Sequence, residues 1–217
     1  MTTKGAKLFT TIAGITSVIL FIIVSSLLAD APQINDSEEH ILMWLQSNKT
    51  LVLSGSYIWG LCIIATFCFL TGLWSILKTK NENTILTSLG LISGFTIFAI
   101  ALAGFVFLMT AAYRANSITP ELAKLLNDFT LISVTLTGLP TAISIGAFTG
   151  ILFKESIFPK WFSYYSILVI IAHLISGAAF AESGFLSPSG IGVYCAPVLY
   201  YVWILLISVF VFLKRNE

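Results

Sequence analysis

Long apolar runs separated by short polar clusters make up the chain. Six stretches lack Asp, Glu, Lys and Arg altogether: Lys7 to Asp30 (22 residues between), Lys49 to Lys78 (28), Glu82 to Arg114 (31), Asp128 to Lys154 (25), Lys160 to Glu182 (21) and Glu182 to Lys214 (31). No other gap exceeds nine residues. A charge in hydrocarbon costs several kcal/mol, and a helix needs about 20 residues to cross about 30 Å of it. The pattern therefore predicts transmembrane helices near 8–29, 51–77, 84–112, 129–153, 161–181 and 191–213. The last is trimmed because 183–190 (SGFLSPSG) has turn chemistry. Strands of a β-barrel would alternate over about 10 residues, and nothing here alternates. The expected fold is all-α: one polytopic membrane bundle of six transmembrane helices spanning 1–217, with short extracytoplasmic amphipathic helices.

Two polar connections predict those short helices. In 30–50, Asp36 or Ser37 can cap a helix whose apolar face holds Ile41, Leu42, Trp44 and Leu45, suited to lying on the membrane surface. In 117–128, Thr119 as N-cap, Pro120 at the first position and Glu121 next form a helix start, with Leu122, Leu125 and Leu126 on a face expected against the bundle.

Composition agrees with the pattern. The chain is 57% hydrophobic and 10% charged, against roughly 25% charged in a soluble domain, and its mean hydropathy is +0.96. This excludes a disordered chain, a nucleic-acid-binding domain and a disulfide scaffold. The first run has a basic leader (Lys4, Lys7), and Ala29-Asp30-Ala31 imitates a cleavage site. Its apolar length exceeds the about 7–15 residues of a signal peptide, so it reads as a retained anchor. With the N-terminus cytoplasmic, Lys4, Lys7, Lys78, Lys80, Lys154, Lys160, Lys214 and Arg215 fall inside; Lys49, Arg114 and Lys124 fall outside. That bias predicts both termini in the cytoplasm. Of the acids, Glu82, Glu155 and Glu217 fall inside and the rest outside.

The chemically informative residues are polar groups at mid-membrane depth. Counting from the inner span ends, His173 lies 12 residues from Trp161, and Pro140, flanked by Thr137 and Thr141, lies 13 from Phe153. Tyr200 and Tyr201 lie 13 and 12 from Leu213. At about 1.5 Å per residue these groups share one layer. Ser163, Ser166, His173, Ser176 and Gly177 occupy an arc of about 140°, which must face protein because lipid offers no hydrogen-bond partner. A ligand site is thus expected from His173, Tyr200, Tyr201, Thr137, Thr141 and Ser176, with a His173–tyrosine hydrogen bond. Pro140 is expected to kink its helix. Glu182, Asp128 and Arg114 are expected at the pocket mouth, with pairing among Arg114, Lys124 and Asp128.

Other motifs read as packing. Cys62, Cys68 and Cys195 lie inside spans and read as small apolar residues. Gly90/Gly94 and Gly146/Gly150 are GxxxG pairs, read first as internal packing and second as a homo-oligomer contact. Asp36, Glu38, Glu39 and His40 read as solvated charge rather than a metal site. No cofactor is expected, and membrane lipids and a small hydrophobic ligand are the expected partners.

Ser37-Glu38-Glu39 with the following amphipathic segment, Ile118-Thr119-Pro120-Glu121-Leu122, and Phe158-Pro159-Lys160-Trp161 add a resemblance. With the six-span layout, the chain resembles a family of uncharacterised bacterial six-span integral membrane proteins. That resemblance implies a multi-pass protein of the inner membrane and supplies no catalytic residues.

The leading functional reading is a non-enzymatic bundle that binds or passes a small hydrophobic or weakly polar molecule in a mid-membrane pocket. Alternatives are an intramembrane enzyme acting on a lipid or isoprenoid, and an accessory or structural membrane subunit. Coupled ion transport is disfavoured because no charged residue lies deep in a span.

Overall fold

The computed structural model describes residues 3–78, 84–154, 158–179 and 181–214. Lys80, Glu82, Glu155, Arg215 and Glu217, which enter the orientation argument, lie outside the described residues. The described residues contain eight helical segments: α1 (Thr3–Leu27), α2 (Glu38–Ser47), α3 (Lys49–Lys78), α4 (Thr84–Arg114), α5 (Pro120–Leu136), α6 (Gly138–Lys154), α7 (Lys160–Gly177) and α8 (Ile191–Leu213).

Among the described residues, five stretches are long and apolar enough to cross a membrane: Lys4–Leu27, Lys49–Lys78, Ile85–Arg114, Pro120–Phe153 (α5 and α6 together) and Ile191–Leu213. The sixth expected span does not qualify. α7 stops at Gly177 after 18 residues, and that length includes Lys160, His173 and three serines. Outward-facing side chains are large and apolar, among them Ile12, Ile22, Ile64, Ile92 and Val106. The buried polar set is small-residue-rich: Thr10, Ser17, Thr66, Ser144, Ser166 and Ser208 are all enclosed. Such an exterior is unfavourable in water and at home among acyl chains, while small residues let helices approach. The protein is a polytopic membrane protein.

The helices pack as a ring in chain order: α1 on α3, α3 on α4, α4 on α6, α6 on α7, α7 on α8, and α8 back on α1. All six feed one core, with Phe69, Leu70, Phe98, Phe148, Phe162 and Trp203 among its large members. The ring closes with the start of α1 beside the end of α8. There Lys7 Nζ donates to the Lys214 carbonyl, and Thr11 Oγ1 donates to the Ser208 carbonyl at 3.3 Å. Serine and threonine also bridge other seams. Ser144 Oγ donates to the Gly90 carbonyl at 2.8 Å and Thr130 Oγ1 to the Gly104 carbonyl at 3.1 Å.

α2 begins where its cap predicts: the Ser37 hydroxyl accepts the His40 backbone N–H at 3.2 Å. Its apolar face, however, covers protein. Ile41 and Leu45 are buried with Val52, Leu108, Ala111, Ala112 and Ala123 in a second, smaller core. Burial against α3, α4 and α5 replaces the expected rest on the membrane surface. Asp36 accepts the Gln33 N–H at 2.7 Å, and among the described residues no three His, Cys, Asp or Glu side chains converge as a metal site.

α5 starts as read, with Thr119 capping Leu122 and Pro120 at the first position, but it is continuous from there into the apolar run. Its orientation corrects the sequence reading. Ala123, Asn127 and Thr130 are buried, while Leu122 and Leu125 are exposed and Leu126 is half-buried. In a membrane, small and polar residues mediate helix contact and bulky leucines suit lipid, the reverse of the soluble rule. The expected span 129–153 is broken at Thr137, which caps α5 before α6 begins at Gly138. Pro140 explains the break, since it has no N–H to offer the Leu136 carbonyl.

Lys124 keeps a Coulombic attraction to Asp128, as expected, and adds a lash across connections. Lys124 Nζ donates to the Ile34 and Asp36 carbonyls at 2.9 and 3.0 Å, and the Ile34 N–H donates to Ser189 Oγ at 3.0 Å. Of the GxxxG pairs, Gly90 and Gly94 serve internal packing. A Cβ there would lie 2.9 Å from the Phe148 ring and 2.8 Å from Leu70, whereas at Gly150 nothing lies within 4 Å.

Candidate functional site

His173 is the buried ionisable side chain of α7, 5% exposed, on a stripe with Phe162, Ser166, Val169 and Ser176. It faces protein. Its Nδ1 lies 2.9 Å from the Val169 carbonyl. A carbonyl only accepts, so Nδ1 bears the proton and, in the neutral ring, Nε2 keeps a lone pair. Because α7 stops at Gly177, His173 stands one turn from the helix end rather than at mid-helix.

Across the seam, the Tyr200 ring meets the His173 ring edge-on, centroids 5.7 Å apart at 73°. This corrects the expected hydrogen bond: the contact is ring to ring. The Tyr200 hydroxyl is buried and has no hydrogen-bond partner among the described residues. Tyr200 also stacks on Trp203 (6.0 Å, 14°), whose Nε1 donates to Ser166 Oγ at 3.0 Å. Ser166 in turn donates to the Phe162 carbonyl at 2.9 Å.

Tyr201, about 100° further round α8, turns away from His173 toward α1 and α3. It stacks on Phe21 (3.9 Å, 10°), and its hydroxyl lies 3.1 Å from the Cys62 thiol. Cys62 Sγ donates to the Ser17 carbonyl at 3.3 Å. A thiol has one proton, so the sulfur then accepts from Tyr201. The polar layer is therefore two neighbouring clusters on α8, His173–Tyr200 and Tyr201–Cys62, joined by an edge-on contact of the two tyrosine rings (5.6 Å, 68°).

Thr137 and Thr141 spend their hydroxyls on their own chain, donating to the Val134 and Thr137 carbonyls at 2.6 and 2.7 Å. Their helix break nevertheless abuts the His173 turn. A Cβ on Gly138 would strike the His173 carbonyl oxygen and lie 2.7 Å from the Gly177 nitrogen. Ser176 is buried on the same stripe.

The three residues expected at the pocket mouth differ in their surroundings. Arg114 ends α4 in an exposed position, Glu182 is exposed in the connection after α7, and Asp128 has a buried Oδ1 without a hydrogen-bond partner among the described residues.

No family model, curated protein or solved structure matches this chain. Sequence reasoning missed Cys62, taken as simple packing, and the Trp203–Ser166 link. Depth offered a signal for the first: Cys62 lies near the middle of α3, as Tyr201 does on α8.

Proposed function

We propose that this polytopic membrane protein binds or passes a small hydrophobic or weakly polar molecule at the α7–α8 seam. His173 and Tyr200 are its polar contacts, with Ser176, Thr137 and Thr141 at the adjoining helix break, Tyr201 behind and Glu182 at the outer end of the seam. The observation that supports this is the Tyr200 hydroxyl, buried without a partner among the described residues. Leaving such a group unpaired costs about 1–3 kcal/mol. Kept at that cost on a ring that touches the imidazole of His173, it is suited to a guest with a hydroxyl, which accepts from Tyr200 and donates to the free lone pair of His173.

Trp203, 0% exposed, provides the test. In nanodiscs, 12-bromododecanol is expected to quench a component of fluorescence that disappears in Trp203→Phe, because bromine must enter the bundle to reach that ring. Tyr200→Phe should raise or preserve thermal stability while weakening the quench by about tenfold, the loss of one buried hydrogen bond. No Trp203 quenching in the unsubstituted protein, or lower stability with undiminished quenching in Tyr200→Phe, would show that the hydroxyl is structural only.

On the same reading α7 is the sixth crossing, both termini are cytoplasmic, and the protein sits in a bacterial inner membrane, as its motif resemblance implies. The adjacent ends of α1 and α8 support a common side for the termini, and the excess of basic residues there supports the cytoplasm. A C-terminal green-fluorescent-protein fusion should fluoresce, and alkaline phosphatase inserted after Asn116 should be active. The opposite pattern would invert the topology.

A further inference from the structure

Lys49 opens α3 and Arg114 closes α4, so two cations stand at one end of the bundle. Beside Arg114 lies an open cleft of about 360 Å³ lined by Leu53, Met109, Thr110, Tyr113 and Arg114, within the about 300–1,000 Å³ typical of small-ligand clefts. Its chemistry is graded. Leu53 and Met109 lie one turn further along their helices and offer apolar walls, while Tyr113 and Arg114 form the polar rim, with Lys49 held against Tyr113. Lys49 Nζ is fixed there, 5.0 Å over the Tyr113 ring and donating to the Tyr113 carbonyl at 3.1 Å. No hydrogen bond or ion pair engages the Arg114 guanidinium among the described residues, and the cleft lining contains no acid. Glu38 and Glu39 stand at the far end of α2, whose near end meets the residue after α4, Gln46 Nε2 donating to the Ala115 carbonyl at 3.0 Å.

We infer that this cleft holds an anionic phospholipid, its phosphate on the Arg114 guanidinium with Lys49 adding charge, and the upper part of an acyl chain along Leu53 and Met109. A guanidinium presents forked donors that match phosphate oxygens, and two cations with no acid in the lining favour a net-negative headgroup over a zwitterionic one. The inference is independent of the α7–α8 guest.

Native mass spectrometry of the full chain, released from detergent with equimolar phosphatidylglycerol and phosphatidylcholine, tests it. Phosphatidylglycerol should be retained preferentially, and Arg114→Gln should reduce that preference about fivefold, as expected for one interfacial cation. Met109→Trp, which fills the groove and leaves both charges, should also lower phosphatidylglycerol retention. Excess inorganic phosphate should not displace the lipid; displacement would mean that the site reads free phosphate. Equal retention of the two lipids, or retention unchanged in either variant, would overturn the assignment.

Discussion

Trp203→Ala should lower the unfolding free energy by about 3–5 kcal/mol, the range for deleting a fully buried large aromatic. Trp203 is the hub of three helices. Its ring stacks on Phe162 (6.3 Å, 23°) from α7, meets Phe69 of α3 edge-on (6.3 Å, 83°), and stacks on Tyr200 of its own helix. Truncation would open a cavity at the centre of the ring of helices and remove the donor that Ser166 accepts. Trp203→Phe keeps most of the apolar contact and loses only the indole N–H, so its cost should not exceed about 1.5 kcal/mol beyond the volume change. Reversible unfolding in mixed micelles measures both. A Trp203→Ala protein within about 1 kcal/mol of the unsubstituted one would contradict this account of the core.

Gly138→Ala is the second large effect, expected near 3 kcal/mol, the upper part of the range of about 1–3 kcal/mol for overpacking. The atoms in the way are backbone: the His173 carbonyl oxygen and the Gly177 nitrogen at 2.7 Å. A side chain can rotate from an intruding methyl, but a helix backbone cannot, so α6 and α7 would have to separate. Gly150→Ala is the matched control, because nothing lies within 4 Å of its built Cβ. It should be neutral or stabilising by about 0.5–1 kcal/mol through helix propensity. Similar melting-temperature losses for both would mean that the α6–α7 approach is looser than described.

The contrast between these glycines shows what the sequence could reveal. Both belong to small-residue patterns on apolar helices, and only the packed neighbour distinguishes them. The apolar runs themselves were legible because charge is excluded from hydrocarbon, so 191–213 coincides with α8 and 51–77 lies within α3. The exposed leucines of α5 were misread because an amphipathic face was judged by the rule for water, whereas the helix contacts here use Ala123, Asn127 and Thr130. The length of α7 was overestimated, since absence of charge does not require the backbone to stay helical through Gly177. Burial of His173 and its nearness to Tyr200 followed from depth and the antiparallel turn. The ring-to-ring geometry, and the division that sends Tyr201 to Cys62, depend on side-chain rotation and neighbours that residue counting does not resolve. Lys124 shows the same limit: helical spacing offered Asp128, while the fold added two carbonyls from a distant connection.

The brevity of α7 has a bearing on the bilayer around it. Eighteen residues rise about 27 Å, less than the hydrocarbon thickness of about 30 Å. On the proposed topology, lipid flanking α7 must thin or draw headgroups inward. Hydration then reaches deepest along the flank nearest the imidazole, giving an amphiphile its shortest descent from aqueous solution to the Tyr200 phenol.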